Sequence, residues 1–430
     1  MLKKINVLFL SLLICGCNVW SSSGRQSFWR SSRPQQTSAV SEMTDYSRVD
    51  LGNAESFRVA VLLPLSGSNA TTGQNMKNAV MMAIGDINNN NLLVQFYDTK
   101  GTGSGARVAF ENAANDNSRL ILGPLLAEEV TAISAGAQSK DIPVVSFSTS
   151  PAVLQEGVYT LGLLNEQQIK RIVRYAASQG RTRLAVVLPD NQSGLNMYKS
   201  VMKAAQSAGV QVTKVGFYAP SAMDFSSLVT SMTSGHQGDD FGFDALLVPE
   251  SGNRLKSITS MFSYYDVSAP NVLFLGTSVW GNTGLSKETE LYGAVYPMMS
   301  LARQENFEQK YNELFATRPH GLSILAYDAV QLAAEVMFSQ NRSLEAEITR
   351  FEGFNGMSGA FRILPNGQSE HGLDVVRVSA AGATVAEAAS PQFTDMSAHS
   401  SVDNFGYIMT LPQIYGKDAA EVNRFLNAMQ

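Results

Sequence analysis

Residues 57–67 read F-R-V-A-V-L-L-P-L-S-G, and this stretch decides the fold. Val59 to Leu63 is a continuous apolar run closed by Pro64, typical of a strand buried on both faces in a parallel sheet. Apolar residues then recur at the three- and four-residue steps of an amphipathic helix: Met76, Ala79, Val80, Ala83, Ile84 and Ile87. The chain therefore opens with a strand followed by a helix.

The same alternation continues along the chain. Further short apolar runs, separated by helical patterns, lie at Leu92–Tyr97, Leu120–Leu122, Val144–Phe147, Leu184–Leu188, Val210–Tyr218, Ala245–Val248 and Val272–Leu275. Strands that alternate with helices predict βαβ units with right-handed crossovers. We therefore expect an α/β protein with two doubly wound, mostly parallel sheets and flanking helices. Near the end, residues 361–364 and 375–378 suggest a hairpin-like pair around Pro365-Asn366-Gly367.

Polar residues follow several of the predicted strands. In open α/β sheets, ligands bind outside the carboxyl ends of the strands, where helix N-termini favour anionic groups. The candidate ligand residues of the first array are Ser66, Gly67, Ser148, Thr149 and Ser150. Gly, Pro and Ser are also common in turns for conformational reasons. Their occurrence after three predicted strands, at residues 64–67, 123–125 and 148–151, favours a ligand cleft.

Four segments resemble the type I periplasmic binding proteins, in their leucine/isoleucine/valine-binding branch. They are 61–67 with Gly73, 98–99, 121–124 and 143–151, and the likeness extends over roughly residues 57–380. Within that superfamily, L-L-P-L-S-G and I-L-G-P-L-L-A-E-E-V look closest to lipoprotein activators of penicillin-binding proteins. The resemblance implies a two-lobed fold, with lobe 1 formed by 57–163 plus 296–350 and lobe 2 by 164–295 plus 351–380. Residues 381–430 would form a C-terminal tail.

The resemblance also adds candidate ligand residues from the second lobe. Glu250 lies where the family offers a carboxylate to a ligand's ammonium, and Tyr198 lies near a ligand-contact position. Glu250 could equally be a turn carboxylate stabilised by a helix N-terminus. Trp280 could line the cleft or be buried in the core.

The N-terminal residues have the pattern of a targeting segment. Lys3 and Lys4 precede an apolar run that is shorter than the ~20 residues a membrane helix needs. Residues 13–17 read L-I-C-G-C and resemble a bacterial lipobox, which implies a signal peptide over 1–16 and lipidation of Cys17. The alternatives are lipidation of Cys15 and a plain secretory signal cleaved elsewhere. Residues 17–56 are rich in Ser, Gln and Arg and predict a disordered tether. The resemblance to sorted lipoproteins implies the periplasm and the outer membrane of a Gram-negative bacterium.

Composition and motifs argue against several other functions. The formal net charge of −5 and the lack of a basic cluster disfavour a nucleic-acid binder. The four histidines have no metal-ligand spacing, and neither a nucleophile elbow nor a phosphate-binding loop is present. We therefore expect neither an enzyme nor a cofactor or metal.

Two functions are compatible with these features. Leu125 to Glu129 stand where amino-acid binders of the family tend to place hydroxyl groups, and their acids would repel a ligand carboxylate. We therefore expect a membrane-anchored lipoprotein that binds a penicillin-binding protein and activates peptidoglycan synthesis. The alternative is a solute-binding protein that delivers an amino acid or another small polar ligand to an ABC permease.

Overall fold

The first five strands form one parallel sheet, in the order β2-β1-β3-β4-β5. The computed structural model describes residues 56–235, 238–337 and 343–393. The strands are β1 (Phe57–Leu63), β2 (Leu92–Asp98), β3 (Leu120–Leu122), β4 (Val144–Ser146) and β5 (Val158–Thr160). The helices between them are α1 (Ala70–Ile87), α2 (Gly103–Asn115) and α3 (Ala127–Ser139), and a short 3₁₀ turn covers Pro151–Val153. The apolar runs are thus strands and the periodic segments are helices, as predicted.

A second, seven-stranded sheet follows, in the order β15-β14-β10-β9-β8-β6-β7. Its parallel strands are β6 (Arg183–Pro189), β7 (Gln211–Tyr218), β8 (Ala245–Leu247), β9 (Leu273–Leu275) and β10 (Val295–Met298). The helices are α4 (Asn165–Ser178), α5 (Gln192–Ala208), α6 (Ser226–Thr233) and α7 (Gly252–Tyr264), with 3₁₀ turns at Ser278–Asn282, Leu285–Lys287 and Thr289–Leu291. Two antiparallel strands, β14 (Asp374–Ser379) and β15 (Gly382–Glu387), complete the sheet beside β10.

The chain returns to the first sheet after β10. Three further helices are α8 (Leu301–Phe315), α9 (Ser323–Val336) and α10 (Leu344–Ile348). Phe307 and Tyr311 of α8 and nearly the whole of α9 are buried in the same hydrophobic cluster as Val59, Val61 and Leu63 of β1. Helices α8 and α9 therefore pack with the first sheet, whereas Val295–Met298 at the start of this segment form β10 of the second sheet.

The segment 351–380 is divided, and here the prediction needs correction. Strands β11 (Phe354–Gly356), β12 (Gly359–Ile363) and β13 (Ser369–His371) form a separate antiparallel sheet. Phe354, Phe361 and Ile363 belong to the first hydrophobic cluster, because their side chains pack beside α9 rather than in the second sheet. Only β14 joins the second sheet, so the segment does not lie wholly with it. The lobe boundaries themselves stay a prediction.

The predicted hairpin has a different partner strand. The turn at Pro365–Gly367 does join two antiparallel strands, but β12 pairs with β13, placing Phe361 opposite His371. Val375–Val378 pair instead with β10 and β15. Apolar patterning marked both runs as strands, yet it could not choose between a neighbour in sequence and one brought close by the sheet. In the predicted tail, residues 382–387 form β15, whereas 394–430 lie outside the described residues.

Both sheets share one connectivity. In each, the first strand of the array lies between the second and the third, followed by the fourth and the fifth. The strand order therefore reverses between β1 and β3 in the first sheet and between β6 and β8 in the second. At such a switch point the two neighbouring loops leave in opposite directions and open a crevice, where ligands bind in this class of sheet.

Glycine lets helices begin directly against the strand exits. A Cβ on Gly73 of α1 would lie 2.1 Å from the Pro64 carbonyl oxygen, and one on Gly194 of α5 would lie 1.8 Å from that of Pro189. Gly105 of α2 has the same relation to Thr99, at 2.1 Å. The missing Cβ therefore lets the first turn of these helices lie close against a strand exit in both sheets.

Candidate functional site

The carboxyl ends of the parallel strands collect the candidate ligand residues at one edge of each sheet. The β1 and β4 exits carry Ser66 and Ser148 in the first sheet. The β6 and β8 exits carry Asp190 and Glu250 in the second. The β1, β6 and β8 exits therefore flank switch points, where the crevice of this class of fold lies.

Asp98, at the end of β2, organises the loop after β1. Its Oδ1 accepts hydrogen bonds from the backbone amides of Leu65 at 2.9 Å, Ser66 at 3.1 Å and Lys100 at 2.8 Å. Its Oδ2 accepts the Ser66 hydroxyl at 2.6 Å. Burial by itself would raise the pKa of Asp98, but the hydrogen bonds from Ser66, Lys100 and Leu65 together hold it below its usual range. The predicted ligand residue Ser66 is thus already bound to an internal carboxylate.

Gly67 completes this loop. Its φ of +83° lies in the left-handed region, and a Cβ there would meet the Lys100 carbonyl oxygen at 2.6 Å. Gly67 therefore permits the tight turn that brings the Ser66 amide to Asp98. Its contribution is conformational, and the side-chain chemistry of the loop belongs to Ser66 and Asp98.

A second internal carboxylate occupies the loop after β3. Glu129 is fully buried, and its Oε2 accepts the Leu126 amide at 2.9 Å, which caps the N-terminus of α3. Burial raises the pKa of Glu129, although its hydrogen bonds act in the opposite direction. The neighbouring Glu128 is exposed. The N-terminus of α3 could otherwise attract a ligand's carboxylate, but the Glu129 side chain of the same helix already caps it.

The serines after β4 form a local network. The Ser148 amide donates to the Ser146 hydroxyl at 2.9 Å, and the Ser150 amide donates to the Ser148 hydroxyl at 3.2 Å. Ser148 is buried, Ser150 is half-buried and Thr149 is exposed. Of the three, Thr149 presents the most accessible side chain to solvent.

The second sheet presents two carboxylates at its switch point. Glu250 accepts a hydrogen bond from the Tyr218 hydroxyl, and its Oε2 lies 3.9 Å from an Arg254 guanidinium nitrogen. Asp190 lies in the loop after β6, and its Oδ1 is buried without a hydrogen-bond partner among the described residues. Burial raises the pKa of Asp190. An unpaired buried acceptor is costly, so this oxygen is ready to accept a donor from a ligand or a water molecule.

Two predicted ligand residues are core residues instead. Tyr198 is 1% exposed and packs edge-on against Phe217, at 6.3 Å between ring centroids. Trp280 is fully buried, and its indole N–H donates to the Val248 carbonyl at 2.9 Å. For Trp280 this decides between the two alternatives in favour of the core. Large aromatic rings bury most readily where a polar tip still finds a partner, which a single sequence does not reveal.

Sequence reasoning missed the three acids that give this edge its character. Asp98 lies in one of the segments that carry the family resemblance, Glu129 was expected to repel a ligand, and Asp190 was not among the candidate residues. A strand-terminal Asp followed by a turn was the available signal for Asp98 and Asp190. Which loop each acid serves depends on strand order, which the residue pattern does not contain.

Chemically, the edge is rich in acceptors. It can bind hydroxyl or amine donors and can exclude carboxylates, and its described residues show no group of three or more acids, histidines or cysteines suited to a metal ion. Within the same part of the chain, no helix is long and apolar enough to cross a membrane.

Comparison with known families places this fold. Residues 56–383 match the family model described as periplasmic binding protein, so the chain belongs to the periplasmic binding protein family. Its members bind ligands without transforming them, and membership indicates a periplasmic location.

Solved structures share the fold at low sequence identity. The leucine-binding protein LivK of Thermotoga maritima is 20% identical with a TM-score of 0.57, and the alignment covers 78% of this chain and 99% of that one. A putative branched-chain amino acid ABC transporter protein of Rhodospirillum rubrum is 16% identical with a TM-score of 0.69, covering 77% and 99%. A solute-binding protein of Rhodopseudomonas palustris in complex with 3,4-dihydroxybenzoic acid is 17% identical with a TM-score of 0.57, covering 79% and 98%.

One curated relative is also similar. An uncharacterized protein of Rickettsia prowazekii is 24% identical over 129 residues, which is 30% of this chain and 34% of that protein. The match thus spans about a third of the relative's length.

Proposed function

We propose that this protein is a solute-binding protein that captures a small polar ligand between its two sheets and delivers it to a membrane transporter. The observation that supports this most is the repeated switch-point topology with polar residues at both crevices. The solved structures of similar fold are named as ABC transporter or amino-acid binding proteins, which supports the same class. This favours the solute-binding alternative over the activator function preferred from sequence.

The charges at the strand exits limit the chemical class of ligand that can bind there. Asp98 and Glu129 consume the amide donors that would otherwise hold a ligand carboxylate. Asp190 offers a buried oxygen without a donor, and Glu250 keeps its carboxylate beside Tyr218 and Arg254. A ligand rich in hydroxyl or amine donors fits these groups, whereas a simple α-amino acid has to place its carboxylate among acids.

A thermal-shift panel tests this proposal on the full-length protein. We expect polyamines or neutral polyols to raise the melting temperature, and leucine, isoleucine and valine to leave it unchanged. A ligand at 100 times its Kd stabilises the folded state by about 2.7 kcal/mol, which a melting curve detects readily. Asp190→Asn should weaken the response, while Asp141→Asn, an exposed acid beyond the far end of α3, should not. A clear shift with leucine would contradict the acceptor-rich site.

The second candidate function is the one predicted from sequence, in which the protein binds and activates a penicillin-binding protein. Asp98 and Glu129 accept hydrogen bonds from the loops after β1 and β3 and so hold these loops in place. Such fixed loops favour a rigid interaction surface at this edge. If a penicillin-binding protein docks there, Glu128→Lys should reduce its activation in a purified glycan-polymerisation assay, because Glu128 is exposed. Ser148→Ala, a buried change in the same edge, is the matched control. If the wild type, Glu128→Lys and Ser148→Ala activate glycan polymerisation equally, that result would count against the activator function.

We also propose the lipid anchor that the sequence predicts. Cys17 and the tether 17–56 lie outside the described residues, apart from residue 56. We expect metabolic labelling with a fatty acid to mark the wild-type protein and membrane fractions to retain it, because more than one acyl chain gives stable anchoring. Cys17→Ser should abolish the label, and Cys15→Ser should not. Label that persists in Cys17→Ser would show that another residue is acylated.

A further inference from the structure

A cavity of about 390 Å³ lies apart from the strand exits, between α4 and the segments that include β13 and the end of β15. Helix α4 contributes Gln167, Lys170, Arg171 and Arg174, and the opposite wall includes Arg362 and His371. None of the candidate ligand residues of the strand-exit loops lines it. Its polar lining is therefore unexplained by the function proposed above.

The cavity carries an excess of positive charge. Four basic side chains and two acidic ones, Glu370 and Glu387, line it, which gives a net charge of +2 with His371 neutral. Arg171 pairs with Glu387 at 2.6 Å, and Arg362 pairs with Glu370 at 2.6 Å. Lys170 and Arg174 are exposed and form no ion pair with any residue in the described ranges. They lie four residues apart and thus on one face of α4, where both can reach one anion.

Two residues that line the same cavity each carry a buried acceptor atom. His371 is 5% exposed, and its Nε2 lies 3.0 Å from the Leu161 carbonyl oxygen. Nε2 must therefore carry the proton, which leaves Nδ1 as an acceptor, and no described residue donates to it. Burial lowers the pKa of His371 to about 4, so the ring is neutral at neutral pH.

Gln167 supplies the second acceptor. Its amide nitrogen donates to the His371 carbonyl at 2.9 Å, which fixes the orientation of the side-chain amide. Its Oε1 is buried and has no donor among the described residues. Buried polar atoms are normally satisfied, so an unsatisfied acceptor on each of two residues that line one cavity favours a hydrogen-bond donor bound there.

We propose that this cavity binds a small polyhydroxy anion, such as a sugar acid or a sugar phosphate. Its hydroxyl groups donate to Gln167 Oε1 and His371 Nδ1, and its anionic group binds Lys170 and Arg174. Hydroxyl donors fit better than an ammonium group, because the net positive charge of the lining repels a cation.

Isothermal titration calorimetry of the full-length protein in detergent tests the site with gluconate, glucose 6-phosphate, glucose and inorganic phosphate. We expect at least one of the first two to bind, and neutral glucose to bind at least about tenfold more weakly, since charge-assisted hydrogen bonds are the stronger ones. The double variant Lys170→Gln/Arg174→Gln should lower the affinity of the bound anion by about tenfold or more. Arg107→Gln, which removes an exposed cation on α2, should leave it unchanged.

Gln167→Met separates the hydroxyl contacts from the charge contacts. This variant should bind the polyhydroxy anion more weakly than the wild type does. Its affinity for inorganic phosphate, which is lower, should not change. The proposal is wrong if neither gluconate nor glucose 6-phosphate gives a binding heat. It is also wrong if the double variant binds the anion with unchanged affinity. Inorganic phosphate binding as tightly as both organic anions would show an adventitious ion only, and would equally overturn it. Asp190→Asn should not alter this binding, so failure here is distinguishable from failure of the strand-exit site.

Discussion

Asp98→Ala is expected to lower the free energy of unfolding by about 2–4 kcal/mol, since it removes a charged acceptor of several hydrogen bonds. The amides of Leu65, Ser66 and Lys100 lose their shared partner, and the Ser66 hydroxyl loses its own. Asp98→Asn keeps one acceptor oxygen and should cost less. Urea denaturation measures both, and Asp141→Asn, an exposed acid, is the control.

The same residue gives this prediction a pH dependence. The folded-state pKa of Asp98 lies below its usual value of 3.8, so its stabilisation is fully present above that value. It is lost as the pH falls through the folded-state pKa. The difference between wild type and Asp98→Asn should therefore be constant near neutral pH and shrink below about pH 4. A difference independent of pH throughout would show that the carboxylate charge does not stabilise the loop.

Gly194→Ala is the second change with a large expected effect, and its direction is the informative part. Alanine in a helix is ordinarily more favourable than glycine by about 1 kcal/mol. Here the added methyl group would lie 1.8 Å from the Pro189 carbonyl oxygen, so α5 has to move away from β6. We expect a net destabilisation of about 1–3 kcal/mol, the usual cost of overpacking.

The neighbouring residue provides the control for this test. Ser193→Ala lies on the same helical turn but is exposed, and should change stability by less than about 0.5 kcal/mol. Thermal melting of the three proteins compares them directly. A Gly194→Ala protein as stable as wild type or more so would mean that the helix tolerates a wider separation from the strand exit.

Much of the fold followed from local pattern, and much of the site did not. β-branched runs such as Val59–Leu63 predicted buried strands, because a strand covered on both faces needs apolar residues throughout. Tyr198 and Trp280 were candidate ligand residues, yet both are buried. Whether an aromatic ring faces a crevice or a core depends on how helices and turns pack over the sheet.

The acids illustrate the same limit more sharply. The sequence shows Asp98 and Ser66 separated by a whole helix, and nothing local indicates that they meet. They meet because β1 and β2 are neighbours in register, with Leu63 beside Asp98. Glu129 is similar: its neighbour Glu128 has the same chemistry and is exposed, so helical phase alone decides which carboxylate is buried.

The path of the chain between the two sheets also constrains how the molecule can be taken apart. It leaves the first sheet after β5, returns between β10 and α8, and leaves again between β13 and β14. A cut within the second array, for example between β7 and α6, separates elements that pack together in the same sheet layer. Each sheet then has some of its strands or covering helices in one fragment and the rest in the other. The amino-terminal fragment keeps β1–β7, while the carboxyl-terminal one keeps α8 and α9, which complete the first core. Each fragment exposes apolar surface that only the other covers, so a nicked chain should stay assembled and the two pieces should be able to reconstitute each other when produced separately.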